Sequence, residues 1–113
     1  MDCIFCKIIN GEIPSTKVYE DELVYAFKDI NPEAPVHVLI VPKLHLESVA
    51  HMDSSHQTLI GHIHSVAQKI AIDTGISEDG YRLLTNIGKN GGQTVSHLHY
   101  HLLGGRLLKW PPG

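Results

Sequence analysis

The chain has 113 residues, of which 42% are hydrophobic and 19% charged. That is one globular domain's worth of sequence, and the composition excludes a disordered or fibrous chain. Twelve Asp and Glu against nine Lys and Arg give a formal charge of −3, which disfavours a nucleic-acid binder, since such proteins carry a basic surplus. No apolar run approaches the ~18 residues of a membrane span. The segment Met1, Asp2, Cys3 has neither the basic start nor the apolar stretch of a secretory signal. With only Cys3 and Cys6 there is no disulfide framework, and a reducing cytoplasm is the expected location.

In chain order, residues 3–10 predict a short helix from the spacing of Ile4, Phe5, Ile8 and Ile9, with Gly11 to end it. After Pro14 come two short strands, Lys17–Tyr19 and Leu23–Lys28, joined by the polar turn Glu20, Asp21, Glu22. A loop with Asn31, Pro32 and Pro35 leads to a strand over Val36–Val41, stopped at Pro42. The main helix is predicted to start at Ser54, with Gln57 completing a capping box. Leu59, Ile63, Val66 and Ile70 form its apolar stripe, and Gly75 its cap. Tyr81–Asn86 reads as a strand, Gly88, Gly91 and Gly92 as a mobile loop, and Thr94–Leu103 as the last strand. Two helices and five neighbouring strands predict an α+β fold with an antiparallel sheet. One face is expected to carry the helices, the other to be wet, ligand-bound or paired with another subunit.

Nine histidines equal the whole Lys and Arg count. Three of them alternate in the last strand. Period-two alternation sends His97, His99 and His101 to one face and Leu98, Tyr100 and Leu102 to the other. The imidazoles are then expected ~6–7 Å apart in a row, a spacing that a phosphate or a metal could bridge. The loop from Gly88 to Thr94 could bring backbone amides to phosphate oxygens. A solvated surface of alternating histidines is the competing reading of the same pattern. His51, His56, His62 and His64 carry no signal, and the last three are read as solvated surface.

The segment His97-Leu98-His99-Tyr100-His101-Leu102-Leu103 resembles the signature of the histidine triad (HIT) family. Further stretches resemble its histidine triad nucleotide-binding (Hint) branch. They are Phe27-Lys28-Asp29-Ile30, Pro35 to His45, Asn86 with Gly91-Gly92-Gln93-Thr94, and the tail from Leu103-Gly104-Gly105-Arg106 to Trp110-Pro111-Pro112-Gly113. The likeness runs over nearly the whole chain as a single domain, 1–113. It implies hydrolysis of purine nucleoside 5′-phosphoramidates through a nucleotidyl-histidine intermediate. It also implies a homodimer whose sheets join into one of ten strands, with purine nucleotides such as AMP, GMP and phosphoramidates as ligands.

By that resemblance His99 is the nucleophile, with its second ring nitrogen held by the backbone carbonyl of His97. His101 donates to phosphate or leaving group, and His37 orients the triad. Asp29 holds ribose hydroxyls, and Phe5, Ile8, Phe27, Ile30 and Leu39 form an apolar slot for the base. Asn86, Gly92, Gln93 and Thr94 surround the phosphate, and Trp110 reaches toward the partner subunit's site. Catalysis needs no metal in this reading. Cys3 and Cys6, at CxxC spacing, are half of a tetrahedral site. Some relatives complete it with the positions of His45 and His97, which implies a structural zinc; two small buried thiols are the alternative. Two other functions compete: a dinucleoside polyphosphate hydrolase, against which the tail argues, and a nucleotide-binding regulator with vestigial activity, against which the complete triad argues. A uridylyl transferase is disfavoured because that branch ends its triad in Gln where this chain has His101.

Overall fold

The computed structural model describes residues 3–113; Met1 and Asp2, where the non-secretory start was read, lie outside them. Helix α1 (Ile4–Ile9) precedes strands β1 (Lys17–Glu20), β2 (Val24–Lys28) and β3 (Val36–Pro42). Two 3₁₀ turns (Val49–His51 and Ser54–His56) lead into helix α2 (Gln57–Asp73), followed by β4 (Tyr81–Thr85) and β5 (Tyr100–Gly104). The strands form one antiparallel sheet in the order β1-β2-β3-β5-β4. The expected α+β plan of five strands and two helices is therefore the observed one.

Alternation along β3 builds a core on each face of the sheet. Val38 and Ile40 join Val24, Ala26, Tyr100 and Leu102 against Ile63, Val66, Ala67, Ile70 and Ala71 of α2. Leu39 and Val41 join Tyr25 and Phe27 against Phe5 and Ile8 of α1. The second face is thus covered in part by α1, where the sequence reading left it without a helix. Each aliphatic side chain fully buried here contributes about 1.5–3 kcal/mol. Gly11 and Gly75 follow the two helices at φ +78, a conformation that ends a helix without a Cβ clash.

Several boundaries differ from expectation, and three of the differences have a clear physical reason. Asp53 caps the 3₁₀ turn ahead of α2: its carboxylate accepts from Ser55 N–H while the His56 ring accepts from Asp53 N–H, and α2 itself, starting behind His56, has no side-chain cap. The chain therefore makes a 3₁₀ turn at Ser54–His56 before the α-helix starts, and the Ser54–Gln57 box is not used. Val36–Pro42 keeps Pro42 in the strand, at the end of its ladder with Val24. The largest change is in the last strand, where residues 94–99 are not ladder and pairing begins only at Tyr100.

The turn at Asp21 fastens the β1–β2 hairpin to α2. Its carboxylate accepts from the amides of Leu23 and Val24, from the Tyr19 hydroxyl at 2.8 Å and from His62 Nε2 at 2.6 Å. Partial burial opposes its charge, but His62 and these other donors outweigh that and hold the carboxyl well below the usual range. His62 is therefore the hydrogen-bond partner of Asp21 and not solvated surface. His56 is a capping residue, and His64 lies 3.3 Å from the Tyr100 hydroxyl.

Candidate active site

The histidine segment is held by three backbone contacts. Leu98 N–H donates to Leu46 O at 2.6 Å, the Thr85 hydroxyl donates to His99 O at 2.8 Å, and His97 Nε2 meets Pro42 O at 2.8 Å. The chain there is pinned without being strand, yet the expected alternation holds: Leu98, Tyr100 and Leu102 pack in the α2 core, and Phe5 of α1 meets the rings of both His97 and His99 on the other face. His97 turns into the protein, fully buried, toward the two cysteines. His99 and His101 stay together with ring centroids 5.1 Å apart, closer than strand spacing gives.

His101 faces Leu39 across the β3–β5 ladder, and Leu39 faces Phe27 across β2–β3. His37, two residues from Leu39, shares that face. Phe5 of α1 stands edge-on to His99, with centroids 4.9 Å apart, and 5.8 Å from Phe27. The site thus has an apolar floor of Phe5, Ile8, Phe27 and Leu39, all buried. Ile30, read as part of the same slot, is 91% exposed and lies outside that floor.

The hydrogen bonds fix which ring nitrogen carries each proton. A carbonyl only accepts, so His99 Nδ1–H donates to His97 O over 2.7 Å and the Nε2 of a neutral ring is left with its lone pair. Burial pushes His99 down from its ordinary pKa, against the support of its bond to the His97 carbonyl and the charge of Asp29, so the neutral ring is favoured. An amide N–H only donates, so His37 Nδ1 accepts from Glu33 N–H at 3.1 Å. The His37 proton must then sit on Nε2, from which it is given to His101 Nδ1 over 2.9 Å. Asp29 Oδ2 lies 3.5 Å from the same Nε2. Burial, with His99 and His37 adding to it, pushes His101 down to about 4. Neutral His101 therefore carries its proton on Nε2. That atom is buried and has no hydrogen-bond partner among the described residues. An unpartnered buried donor next to an unprotonated imidazole nitrogen can serve one phosphoryl group from both sides.

The other predicted residues divide. Asp29 Oδ1 accepts from Asn31 N–H at 2.8 Å, which leaves Oδ2 facing His37. Gln93 is committed to the loop: its amide donates to Glu47 O and Val95 O and accepts from Gly88 N–H. Its backbone N–H also donates to Gly88 O, so the glycine loop is a closed hydrogen-bonded turn. Asn86 follows β4 half-buried, Gly92 and Thr94 are exposed, and Trp110 is 83% exposed in the tail. Glu33, Thr85 and Pro42 were missed because they act through backbone atoms or a single hydroxyl, which leave no pattern in a sequence.

Cys3, Cys6, His45 and His97 bring one donor atom each within 4.8 Å of the others. His97 Nδ1 is 3.3 Å from Cys3 Sγ, 3.7 Å from Cys6 Sγ and 3.1 Å from His45 Nδ1, and Cys6 Sγ is 3.4 Å from His45 Nδ1. A zinc tetrahedron with bonds of about 2.0–2.3 Å has edges of about 3.3–3.8 Å, close to these spacings. The tautomer also fits. His97 Nε2–H donates to Pro42 O, which leaves Nδ1 free as a ligand, the arrangement that orients metal-binding imidazoles. Burial pushes His97 down, outweighing the bond to the Pro42 carbonyl, so the ring is neutral as a ligand must be. All four ligands would come from protein, so the zinc would be structural and would clip α1 to the segment before β5.

Asp29, His37 and His101 also gather donor atoms within 4.8 Å. There the proton on His37 Nε2 points at the would-be ion, and the Glu33 amide keeps it there. That group is a proton chain and not a metal site.

A description of the HIT domain matches residues 10–108. A purine nucleoside phosphoramidase from Escherichia coli (strain K12) is 51% identical over 107 residues, covering 95% of this chain and 90% of that one. A 14 kDa zinc-binding protein from Zea mays is 53% identical over 112 residues, covering 97% of this chain and 87% of that one. The crystal structure of a HIT family hydrolase from Legionella pneumophila Philadelphia 1 superposes with a TM-score of 0.98 at 49% identity, covering 99% of this chain and 100% of that one.

Proposed function

The chain belongs to the HIT family, and from that premise we propose that it hydrolyses purine nucleoside 5′-phosphoramidates through a nucleotide bound to His99. The observation that carries this reading is the pairing of two ring nitrogens in opposite states. His99 Nε2 has a lone pair, and His101 Nε2 has a proton with nowhere else to go.

In the first half-reaction His99 Nε2 attacks the α-phosphorus in line with the leaving amine. A phosphorus–nitrogen bond forms to the ring, and the bond to the amine breaks. His101 Nε2–H stabilises the charge that gathers on the phosphoryl oxygens or gives its proton to the departing nitrogen, a contribution of about 10²–10⁴ in rate. As a bond forms at Nε2 the His99 ring becomes cationic, and the His97 carbonyl on Nδ1–H stabilises that charge. Water then attacks the nucleotidyl-histidine, the proton returns, and nucleoside monophosphate leaves. Phe5, Ile8, Phe27 and Leu39 would form one wall for the base, with Ile30 closing over it from outside. Asp29 would take the ribose hydroxyls, and Asn86, Gly92, Thr94 and the turn that Gln93 closes would line the phosphate.

The reading includes a homodimer. β4 is an edge strand, and an edge strand with a half-buried pattern is a template for a second sheet. Pairing two β4 edges would make ten strands. It would also give the exposed Leu107 and Trp110 of the tail a surface to cover. A single domain over 1–113, with two free thiols, suits a reducing cytoplasm. Among the described residues no helix is long and apolar enough to cross a membrane.

The test is turnover of adenosine 5′-phosphoramidate beside the His99→Ala variant. Release of AMP by the parent and none by the folded variant is expected; equal rates would remove His99 from the chemistry. Deleting residues 108–113 is expected to change relative rates across a series of amines more than adenosine binding. Unchanged relative rates would separate the tail from leaving-group choice.

A further inference from the structure

Arg106 contributes to neither core and was read only as part of the tail motif. It follows the glycine pair that ends β5, Gly104 and Gly105, which is closely packed. A Cβ on Gly104 would lie 2.6 Å from Ile76 Cδ1. Gly105 has φ +91, and a Cβ there would lie 2.9 Å from Pro35 Cβ. The turn therefore presses the chain after β5 against the loop between β2 and β3. The Arg106 side chain then reaches Glu33. Its Nε–H donates to Glu33 O over 3.0 Å, and its Nη1–H donates to Leu107 O over 3.1 Å.

We propose that Arg106 is a positioning residue for the proton chain, holding Glu33 so that its amide fixes the tautomers of His37 and, through it, of His101. The proposal rests on the role given above to His101 Nε2–H. Three hydrogen bonds connect in sequence, Arg106 to Glu33 O, Glu33 N–H to His37 Nδ1, and His37 Nε2–H to His101 Nδ1, and they end at the unpartnered His101 Nε2–H. Glu33 itself is exposed, between Pro32, which fixes its own φ, and the buried Ala34, so the guanidinium sets the direction of its peptide groups in a loop already stiff. A guanidinium on its carbonyl is a charge-assisted bond with a fixed direction, which a flexible ammonium does not reproduce.

The consequence of losing it follows from proton counting. If Glu33 N–H swings away, His37 Nδ1 loses its donor and the ring can carry its proton on Nδ1 instead. His37 Nε2 then presents a lone pair to His101, whose proton moves from Nε2 to Nδ1 to meet it. No proton is gained or lost, but the site has exchanged a donor for a lone pair. The same guanidinium holds Leu107 O, and Arg82 holds Leu108 O and Lys109 O, so the tail that carries Trp110 starts from this anchor. A shift of the tail is thereby linked to the donor that faces the leaving group.

The test uses the full-length protein labelled with ¹⁵N histidine. In the parent, His101 is expected to show a protonated Nε2 and an unprotonated Nδ1. In Arg106→Ala the His101 signals should move toward the Nδ1–H form, and Arg106→Lys should rescue them only in part. For adenosine 5′-phosphoramidate, kcat is expected to fall about tenfold with KM unchanged, a fraction of what full loss of an acid costs. The p-nitrophenyl ester of AMP, whose leaving group needs no proton, should slow by less than about twofold. Parent-like His101 signals in the variant, or equal slowing of both substrates, would overturn the proposal and leave Arg106 a clip for the tail. Should Arg106→Ala fail to fold, Glu33→Pro deletes the central N–H and must produce the same tautomer change, or the proposal fails. A parent protein inert to the phosphoramidate would defeat the phosphoramidase reading instead, while the tautomer result would still decide the role of Arg106.

Discussion

His97 and His101 lie four residues apart, and each brings an imidazole into a cluster of donors that fit within 4.8 Å. Around His97 the other donors are two thiols and His45; around His101 they are His37 and Asp29. Donor count and spacing alone would make both of them metal sites. The difference lies on the far side of one ring in each. His97 Nε2 faces a carbonyl, so its inward nitrogen is a lone pair ready for a cation. His37 Nδ1 faces an amide N–H, so its inward nitrogen carries a proton ready for His101. A single backbone group, C=O in one place and N–H in the other, separates a ligand from a proton relay. Between the two, His99 takes its own orientation from the His97 carbonyl, so the candidate metal ligand and the proposed nucleophile are tied by one hydrogen bond.

This contrast can be broken from either side. The largest effect is expected from His101→Ala, which removes the only buried unpartnered donor among the described residues. Steady-state kinetics should show kcat for phosphoramidate down by about 10²–10⁴ while thermal unfolding stays near that of the parent. A loss of less than about tenfold would mean that the donor is not used.

Next comes the metal clip. In protein loaded with zinc, stripping the metal with a chelator, or Cys3→Ser, should act first on stability. Loss of a ligand held at ~100 times its Kd costs about 2.7 kcal/mol. For a domain of this size that is a fall in Tm of about 10 °C or more. The decrease in kcat should be much smaller than for His101→Ala. The reverse ranking, with rate collapsing and Tm unmoved, would make the ion part of the chemistry.

The third effect is on acid stability. His101 has a folded pKa of about 4, below its unfolded value of 6.5, so the unfolded chain binds more protons between the two. Stability from this group is whole above 6.5, is lost as pH falls toward about 4, and levels off below that. The denaturant midpoint should fall along this curve in the parent and less steeply in His101→Leu, where His97 and His99, also pushed down, still contribute. An unchanged slope between pH 6.5 and 4 would show that His101 is not held neutral by the fold. The smallest effect is expected from Thr85→Val, which removes the hydroxyl on the His99 carbonyl. It should cost about 1 kcal/mol in unfolding free energy and only a few-fold in kcat.

The sheet was legible because its strands alternate: Val38 and Ile40 against Leu39 and Val41 state the two faces outright. The motif Cys3, Cys6, His45, His97 was reached through family likeness, and the tautomer of His97 gives it a physical reason. The alternation of the three imidazoles also held, with Leu98, Tyr100 and Leu102 in the α2 core. The ladder was misjudged: residues 94–99 are pinned by Leu46, Thr85 and Pro42 instead of by a neighbouring strand, and His97 turns to the cysteines. His62 looked like surface because its partner Asp21 is distant in sequence, and only folding brings the two to 2.6 Å. Glu33 and Arg106 were invisible for the same reason: what matters at residue 33 is its peptide groups, which every residue but proline has.

The account depends most on His99 Nε2 forming a bond to phosphorus. Rapid mixing of the protein with adenosine 5′-phosphoramidate, an alkaline quench and intact-mass measurement tests that directly. The predicted result is one adenylyl group per chain, mapped to His99 by peptide sequencing and absent in His99→Ala. Full turnover with no adenylyl adduct at any mixing time, or an adduct on another residue, would contradict it.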